Sequence, residues 1–398
     1  MDLGHKIKKD FPILQNDICF LDSGASAQKP QAVIDTQNYF TEKVYANVHR
    51  GTYSFSQEIT SAYENARSII AKFIGADEKE VIFTKSVTES INLVAHSLGS
   101  IIDNGSEIII SEMEHHANIV PWQLLQTRKN ITLKVIPVLD NGELDYEAYE
   151  KLLSDKTALV AITHASNVLG TVVDIDRIVK MAKKHNSYVL IDGSQAVMHQ
   201  AVDVKKMGVD FYAFTGHKVY APNGVGVLWG NADILNKMPP FLGGGDMIDS
   251  VSFEKTTFAE IPVKFEAGTP PIVPAICLGT AIEYLQSIGL DKISSYENEL
   301  YKYAFDKITK IDGVKVLGTA DKKSPIISFV VDGVHAFDLA ELLDNENVCV
   351  RVGHHCAEPL MKRFNVTSTL RASLAMYNTT DDIDKFISAM EKALKILR

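Results

Sequence analysis

The stretch RVGHHCAEPLM, residues 351–361, places Cys356 directly after two histidines. A cysteine in such a setting can be a metal ligand, half of a disulfide, a nucleophile or a core residue. As a nucleophile it must act as the thiolate, which nearby positive charge favours. The candidates to supply that charge are Arg351, His354 and His355. On this stretch alone, the four alternatives stay open.

The metal alternative would join Cys349 to the two histidines and Cys356. The spacing C-x4-H-H-C is not that of a common zinc finger, and neighbours in an extended segment point opposite ways. There is no C-x-x-C pair, and four cysteines in 398 residues do not make a secreted disulfide framework. We therefore expect no metal and a reducing compartment, the cytoplasm. The apolar surroundings of three cysteines predict core residues: Cys19, Cys277 and Cys349.

Polar side chains also follow the predicted strands. Thr215, His217 and Lys218 come at the end of FYAF, and SYVLI is followed by Asp192 and then Gln195. In a wound parallel sheet, ligands bind at the carboxyl ends of the strands, so these residues can converge on one site. Three other strand ends lead to Thr88 at a helix start, to His115 and to Asn167.

These residue types suit one cofactor. A desolvated lysine can lose its proton and form a Schiff base. A buried carboxylate can hold a proton on a ring nitrogen, and an imidazole can stack on a ring or move a proton. A helix N-terminus with a threonine can bind phosphate. Together these are the requirements of pyridoxal phosphate (PLP).

Each residue taken singly has a simpler interpretation. An acid such as Asp192 at a strand end is usually a turn former or helix cap, and a lysine such as Lys218 is usually solvated. His217 alone is more often a hydrogen-bonded structural histidine. The joint occurrence of these residues in this order favours the cofactor site.

The surrounding pattern predicts the elements that position them. Short apolar runs alternate with helical stretches, and runs without polar alternation indicate strands buried on both faces of a mostly parallel, wound sheet. The predicted helices include ESINLVAHSLG, closed by Gly99, NIVPWQLLQTRKN and IDRIVKMAKKHN. The predicted strands are EVIFTK (80–85), SEIIIS (106–111), ITLKVIPV (131–138), TALVAITH (157–164), SYVLIDG (187–193) and FYAFTG (211–216).

The pattern changes near residue 270. Two long helices are followed by short strands, PIISFVVDG and VCVRVG, with helices between and after them. We predict a large α/β domain over residues 17–270. A smaller α+β domain, formed by residues 1–16 and 271–398, would carry the cysteine loop.

Composition limits the function classes. Apolar residues make up 46% and charged residues 23%, as in an ordinary globular protein, and the net charge is -10. This charge argues against a nucleic-acid binder and a basic membrane-surface protein. No run of about 18 apolar residues occurs, and the first residues lack the apolar core of a signal peptide.

Several long motifs resemble one family. They are FLDSGASAQKP, VHRGTYSFS, SEMEHHANIVPWQ, THASNVLGT, IDGSQAVMH, FTGHKVYAPNGVGVLW, FEAGTP, RVGHHCAEPLM and RASLAMYNT. Together they are similar to the cysteine desulfurases, and most of all to the SufS-type (group II) enzymes. The resemblance runs from about residue 20 to the last residues. It implies fold type I of the PLP-dependent, class V aminotransferase-like family.

The resemblance implies cofactor contacts residue by residue. Lys218 would hold PLP covalently, Asp192 would pair with its pyridine nitrogen and Gln195 would reach its ring hydroxyl. His115 would stack on the ring and shuttle protons. The phosphate would be held by Thr88, Thr215 and His217, with Thr269 reaching the phosphate of the other subunit. The last contact implies a homodimer.

It also implies substrate contacts and a role for Cys356. Arg371 would bind the carboxylate of L-cysteine with Asn167 nearby, His49 and Arg50 would line the entrance, and Arg351 would flank the cysteine loop. The Cys356 thiolate would take the substrate sulfur as a persulfide and alanine would leave. A short loop is expected to need a sulfur-acceptor protein, on the route to iron–sulfur clusters.

Three positions depart from common relatives. Val87 provides no hydroxyl in the phosphate-binding segment, so Thr88 and backbone N–H groups must do more. Leu242 replaces an acid that some relatives carry, and Phe337 replaces a histidine of relatives served by a zinc-containing SufU-like acceptor. Phe337 thus argues against a SufU-like acceptor, and a SufE-like partner or another acceptor is the alternative; the sequence does not decide between them.

Three other functions are alternatives. A selenocysteine lyase uses the same fold and site, and Cys356 does not exclude it. A catalytically idle sulfur-transfer scaffold would not need Lys218, Asp192, His115, Arg371 and Cys356 together. An aminotransferase would leave the cysteine without a task.

Overall fold

The computed structural model of the protein describes residues 3–398. Its strands are β1 (Cys19–Phe20), β2 (Val81–Thr84), β3 (Ser106–Ser111), β4 (Ile131–Ile136), β5 (Thr157–Thr163), β6 (Tyr188–Asp192), β7 (Phe211–Thr215), β8 (Gly226–Gly230), β9 (Ile248–Val251), β10 (Thr256–Phe258), β11 (Val314–Leu317), β12 (Ile326–Val331), β13 (Val348–Cys349), β14 (Arg351–Gly353) and β15 (Thr369–Ser373).

The helices alternate with the strands through most of the chain. They are α1 (Leu3–Lys8), α2 (Gln31–Glu42), α3 (Ser54–Ile74), α4 (Val87–Ile101), α5 (Val120–Gln126), α6 (Tyr146–Leu152), α7 (Ile175–Lys183), α8 (Val204–Met207), α9 (Ala232–Lys237), α10 (Ile272–Ile288), α11 (Leu290–Ile308), α12 (Ala336–Asp344), α13 (Glu358–Arg363) and α14 (Thr380–Leu397).

A seven-stranded sheet in the order β2-β8-β7-β6-β5-β3-β4 forms the centre of the molecule. All of its adjacent pairs are parallel except those of β8, which is antiparallel to both neighbours. Helices cover the sheet, and β2, β7 and β8 are buried along their whole length. The predicted mostly parallel α/β fold is confirmed.

One strand of this sheet, β8, was not among the predicted strands. Glycines flank its short apolar run and obscure a strand signal, whereas hydrogen bonding to β2 and β7 on both sides fixes it. Gly226 is required there, because a Cβ on it would lie 2.4 Å from the carbonyl carbon of Ser86. The glycine therefore lets the turn that starts α4 pass close to the sheet.

The predicted end of α4 at Gly99 is wrong, since the helix continues to Ile101. Gly99 lies inside the helix. A larger residue would not fit there, because a Cβ at that position would come within 2.8 Å of the Leu125 methyl groups. Its role is close packing against α5 rather than termination. At the other end, the Ser86 hydroxyl accepts a hydrogen bond from the Glu89 N–H at 3.3 Å and caps the helix.

A second sheet, antiparallel and ordered β11-β12-β15-β14, packs with α11, α12 and α14 around its own apolar core. Strand β1 pairs in parallel with β13 of this part of the chain, and Lys8 bonds to Asp382 at 2.7 Å. Helix α10 packs instead on α2 and α3. The domain boundaries at residues 16/17 and 270/271 remain a prediction.

Among residues 3–398, no single helix is long and apolar enough to cross a membrane. Helices α10 and α11 pass that test only as a pair, bent by 77°.

Candidate active site

A cavity of about 240 Å³ lies at the carboxyl edge of the large sheet, against the β14–α13 loop and β15. It brings together nine of the residues predicted for the site. Its lining consists of Gly24, Ala25, Ser86, Val87, Thr88, His115, Asn167, Thr215, His217, Lys218, Arg351, His355, Cys356 and Arg371. The convergence expected from the strand ends is therefore present.

Lys218 and Asp192 lie on neighbouring strand ends. Asp192 ends β6, beside Ala213 of β7, is buried and accepts the Ser194 N–H at 3.0 Å. Lys218 follows β7 in a single helical turn. Burial lowers the pKa of the Lys218 ammonium to about 8, although the nearby negative charge of Asp192 opposes this. The amine is thus more readily neutral than a solvated lysine.

His115 follows β3 and is half-buried. Its Nδ1 accepts the Ala117 N–H at 3.1 Å, so the proton of the neutral ring lies on Nε2. Burial, together with the positive charge of Lys218, lowers the pKa of His115 to about 4. The ring is therefore neutral near pH 7.

Glu114, which was not among the predicted residues, fixes the segment that carries His115. Its fully buried carboxyl group accepts hydrogen bonds from the Ser111 hydroxyl, the Asn118 amide at 2.7 Å and the Thr163 N–H at 3.0 Å. Burial raises the pKa of Glu114 to about 8. The sequence signal that could have indicated Glu114 is an acidic residue just after a strand and directly before two histidines.

The helix start and β7 provide an anion-binding wall. Val87 and Thr88 begin the fifteen-residue helix α4, whose first N–H groups have no partner within the helix. The Thr215 hydroxyl is buried and has no hydrogen-bond partner among residues 3–398. Burial, followed by the charges of Lys218 and Lys29, lowers the pKa of His217 to about 4.

Arg371 lies on β15, on the opposite side of the cavity. Its Nη1 donates to the Asn167 carbonyl at 2.9 Å and its Nη2 to Asp22 at 3.1 Å. Arg351 donates Nε to the same Asp22 carboxylate at 3.1 Å. Asp22 lies in the quoted FLDSGASAQKP segment but was given no role. The structure shows that it orients both arginines.

Cys356 is exposed and lies in a loop with an unusual backbone. His355 and Cys356 have φ values of 52° and 55°, the left-handed region that costs non-glycine residues energy. The Asn167 amide donates to the His355 carbonyl at 2.7 Å. The contact with Asn167, which follows β5, therefore helps to hold this loop and its thiol at the cavity.

The expectation that His355 supplies positive charge is wrong. Its ring is buried and hydrogen-bonded to the Thr369 hydroxyl at 2.8 Å. Burial and the charges of Arg371 and Arg351 lower the pKa of His355 to about 3, so the ring is neutral. Positive charge near Cys356 comes from the two arginines.

The chain is similar to known proteins over almost its whole length. The aminotransferase class-V family matches residues 19–386. A probable cysteine desulfurase of Staphylococcus aureus (strain Mu50 / ATCC 700699) is 47% identical over 396 residues, 98% of this chain and 96% of the relative. The chain belongs to the aminotransferase class-V family, among the cysteine desulfurases.

Solved structures of cysteine desulfurases agree with this. An enzyme from Escherichia coli superposes with a TM-score of 0.94 at 36% identity, over 99% of both chains. The apo structure from Thermococcus onnurineus gives 0.96 at 37% identity, again over 99% of both chains. The expected enzyme class, the fold type and PLP as the cofactor are confirmed.

The residues present fit PLP. A desolvated lysine, a buried carboxylate, an unpaired threonine hydroxyl and a helix N-terminus supply groups for the cofactor carbonyl, ring nitrogen and phosphate. Gln195 lies behind the cavity wall, where its Nε2 donates to the Gly24 carbonyl at 2.7 Å. Its Oε1 is buried and without a partner in the part of the chain described.

Five of the predicted site residues do not line the cavity; besides Asp192 and Gln195, described above, these are Thr269, His49 and Arg50. Thr269 is exposed in a separate groove with Lys85 and Phe241. His49 and Arg50 form surface ion pairs, at 2.9 Å each, with Glu64 and Asp246. The structure does not bring these three residues to the cavity of their own chain.

The remaining cysteines are free thiols. Cys19 and Cys277 are buried, as predicted for core residues, whereas Cys349 is only half-buried. Within residues 3–398, no three or more His, Cys, Asp or Glu side chains are grouped to hold a metal ion.

Proposed function

We propose that the chain is a SufS-type (group II) L-cysteine desulfurase. It converts L-cysteine to L-alanine and leaves the sulfur on Cys356 for iron–sulfur cluster assembly. The observation that carries this proposal is the single cavity that holds Lys218, Arg371 and Cys356. An amine, a carboxylate-binding group and a thiol are the three groups that this reaction needs from the protein.

Arg371 binds the substrate carboxylate. The guanidinium group is buried, and its Nε has no hydrogen-bond partner among the described residues. A buried donor without a partner is costly, so a bound carboxylate stabilises it. The contacts of Nη1 and Nη2 keep the group in place before the substrate arrives.

Lys218, Asp192 and His115 handle protons. When bound, PLP supplies an electron sink next to the substrate α-carbon. Lys218 removes the α-proton, which its lowered pKa allows near neutral pH. Asp192 holds a proton on the ring nitrogen of the cofactor, and the neutral His115 ring moves a proton at Nε2.

Cys356 takes the sulfur. Its thiolate attacks the sulfur of the bound cysteine, so a sulfur–sulfur bond forms and the substrate carbon–sulfur bond breaks. The electron pair of the broken bond goes to the substrate β-carbon, which then takes a proton and becomes the methyl group of alanine. The carbon is reduced while sulfur is oxidised to the persulfide level, so no other oxidant is needed.

The enzyme acts as a homodimer and passes sulfur to an acceptor protein, SufE-like or SufU-like. The exposed positions of Thr269, His49 and Arg50 support the dimer, since a second subunit can use residues that their own cavity does not. The exposed thiol supports protein-to-protein transfer. Phe337, which distinguishes this chain from zinc-acceptor relatives, is exposed at the start of α12.

A single assay tests the function. Purified protein is given L-cysteine and a thiol reductant, and alanine and sulfide are followed together with Cys356→Ala alongside. Equal alanine and sulfide from the wild type, with neither from the variant, are expected. Alanine formation by Cys356→Ala at the wild-type rate would refute the persulfide step, and a higher rate on selenocysteine than on cysteine would favour the lyase.

A further inference from the structure

We propose that the imidazole rings of His116 and His354 act as a clamp that fixes the Cys356 loop for attack on the substrate sulfur. His116 follows His115 in the helical turn after β3, whereas His354 belongs to the loop itself. Both rings accept hydrogen bonds from loop N–H groups. The inference rests on the proposed function and assigns positioning residues to its sulfur step.

His116 contacts the loop at two points. Its own N–H donates to the Cys356 carbonyl at 2.7 Å, and its Nε2 accepts the Glu358 N–H at 3.1 Å. Glu358 is the first residue of α13 and lies two positions after the thiol. One histidine of the turn after β3 thus holds the segment at the Cys356 carbonyl and again two residues later.

His354 completes the clamp from within the loop. Its Nδ1 accepts the Cys356 N–H at 3.2 Å, and its ring centre lies 5.8 Å from that of His116. With the His116 contact, both the N–H and the carbonyl of Cys356 have partners. The direction of the Cα–Cβ bond is therefore set before the substrate binds.

The loop needs such contacts because its backbone is strained. Two consecutive non-glycine residues, His355 and Cys356, have positive φ values. Such a conformation is unfavourable for a residue with a side chain and persists only where its surroundings hold it. A loop released from the clamp would relax, and the thiol would leave the line of attack.

The His116 ring must be neutral for its contact with Glu358, because a protonated nitrogen cannot accept. His116 faces His354 from the loop and Glu358 from α13, and His115 precedes it. Burial and His354 lower the pKa of His116 below its ordinary value, with Glu358 opposing the change. The His116 ring is accordingly an acceptor at pH 7, with its proton on Nδ1.

The test is a matched pair at position 116. His116→Ala removes the ring acceptor but keeps the backbone contact to Cys356, whereas His116→Gln places an amide oxygen near the position of Nε2. We expect His116→Ala to lower kcat for alanine about ten- to a hundredfold, the effect of a displacement of about 1 Å. KM for L-cysteine stays near its wild-type value, since Arg371 is untouched. His116→Gln restores most of kcat.

A second readout does not depend on the reaction. Hydrogen exchange of the peptide covering residues 351–361, followed by mass spectrometry on the holoenzyme, should be faster in His116→Ala and close to wild type in His116→Gln. His185→Ala, which removes a half-buried histidine that bonds to Asp155, should change neither exchange nor kcat.

The outcomes separate the inference from the proposed function. Unchanged exchange and kcat in His116→Ala, or a loss that His116→Gln does not restore, would overturn the clamp. A wild type that forms no alanine would refute the proposed function, while the exchange experiment would still decide the clamp. If His116→Ala does not retain PLP, His354→Ala and His354→Asn make the same comparison, since the asparagine oxygen replaces Nδ1.

Discussion

At the scale of single residues, the site separates its ionisable groups by environment. Burial holds His115, His217 and His355 neutral at pH 7, and it lowers the pKa of Lys218 to about 8. The fixed positive charge of the site comes from Arg351 and Arg371, which share Asp22. The lysine that must be neutral for chemistry and the guanidinium groups that must stay charged therefore have distinct roles.

The pKa of Lys218 gives a pH prediction for cofactor loading. Only the neutral amine attacks the cofactor carbonyl, so the rate of PLP uptake by apoprotein should rise with pH and level off above about 8. Above this range, as the pH rises from about 8 to the usual lysine pKa, the apoprotein gains stability, because its unfolded chain still binds a proton that the folded chain has lost. Absorbance of the bound cofactor, followed from pH 6 to 10, checks the rate. A midpoint near 10.5 would contradict the assignment, and Lys218→Ala is the blank.

Arg371 gives a prediction on substrate affinity. Arg371→Ala should raise KM for L-cysteine roughly ten- to a hundredfold, because charged hydrogen bonds contribute about 1.5–3 kcal/mol each. Asp22→Asn should raise KM less, since it removes the anchor of Nη2 but not the guanidinium group. Steady-state kinetics with both variants measures this. An unaltered KM in Arg371→Ala would rule out its substrate role.

The residues that sequence could predict are those whose chemistry is visible in their type and place along a strand. Lys218, Asp192 and His115 are examples. Asp22 and His116 were missed because their contacts join segments that are distant in sequence. Asp22 and Arg371 are separated by 349 positions. No local pattern encodes such a pairing.

At the scale of elements, one buried ion pair joins three segments. Arg67 of α3 bonds to both oxygens of Glu266, at 2.7 and 3.0 Å, and Glu266 also accepts the Phe83 N–H of β2 at 2.6 Å. The guanidinium group stacks over the Phe83 ring at 4.6 Å. Since Glu266 lies three residues before Thr269, this pair also fixes the segment predicted to reach the other subunit.

Breaking this pair should destabilise the fold. Arg67→Ala leaves a buried carboxylate without its partner, so we expect a loss of about 3–5 kcal/mol in the free energy of unfolding. The control is Lys310→Ala, which removes an exposed pair with Asp306 and should cost no more than about 0.5 kcal/mol. Urea denaturation compares the two. Equal midpoints would show that the buried pair contributes no more than an exposed one.

Element prediction from sequence succeeded where apolar runs were long and failed where tertiary packing overrides local signals. The strands β3, β5, β6 and β7 were placed by such runs. The flanking glycines obscured β8, and Gly99 was taken as a helix end although α5 packs on it. In both cases the glycine allows neighbouring segments to pack closely and does not end the strand or helix.

At the scale of the whole molecule, the proposed homodimer has a candidate contact surface. The β9–β10 hairpin exposes Val251 and Phe258, and the Phe253 side chain between the strands is fully exposed. Apolar groups so exposed indicate a protein contact when they cluster. The exposed hairpin therefore supports the same dimer as Thr269, His49 and Arg50, which also lie outside the cavity of their own chain.

Charge on the hairpin should weaken the dimer. Phe253→Asp should shift the mass measured by light scattering from two chains toward one at low concentration, because a desolvated carboxylate is costly in an interface. Ile396→Asp changes another exposed apolar residue, 70% accessible, and should leave the mass unchanged. A dimeric Phe253→Asp variant would exclude the hairpin from the interface.

The bridge from Asp22 to Arg371 also bears on biosynthesis. At about 5–20 residues per second, the arginine is made roughly 20–70 s after its partner. The large sheet needs nothing beyond residue 230 to form its strands, so it can pair while the ribosome still makes the rest. The substrate pocket cannot, because the arginine proposed to bind the carboxylate and the thiol proposed to accept the sulfur are both made late. A nascent chain can therefore fold its cofactor wall early and yet release no sulfur until the polypeptide is nearly complete.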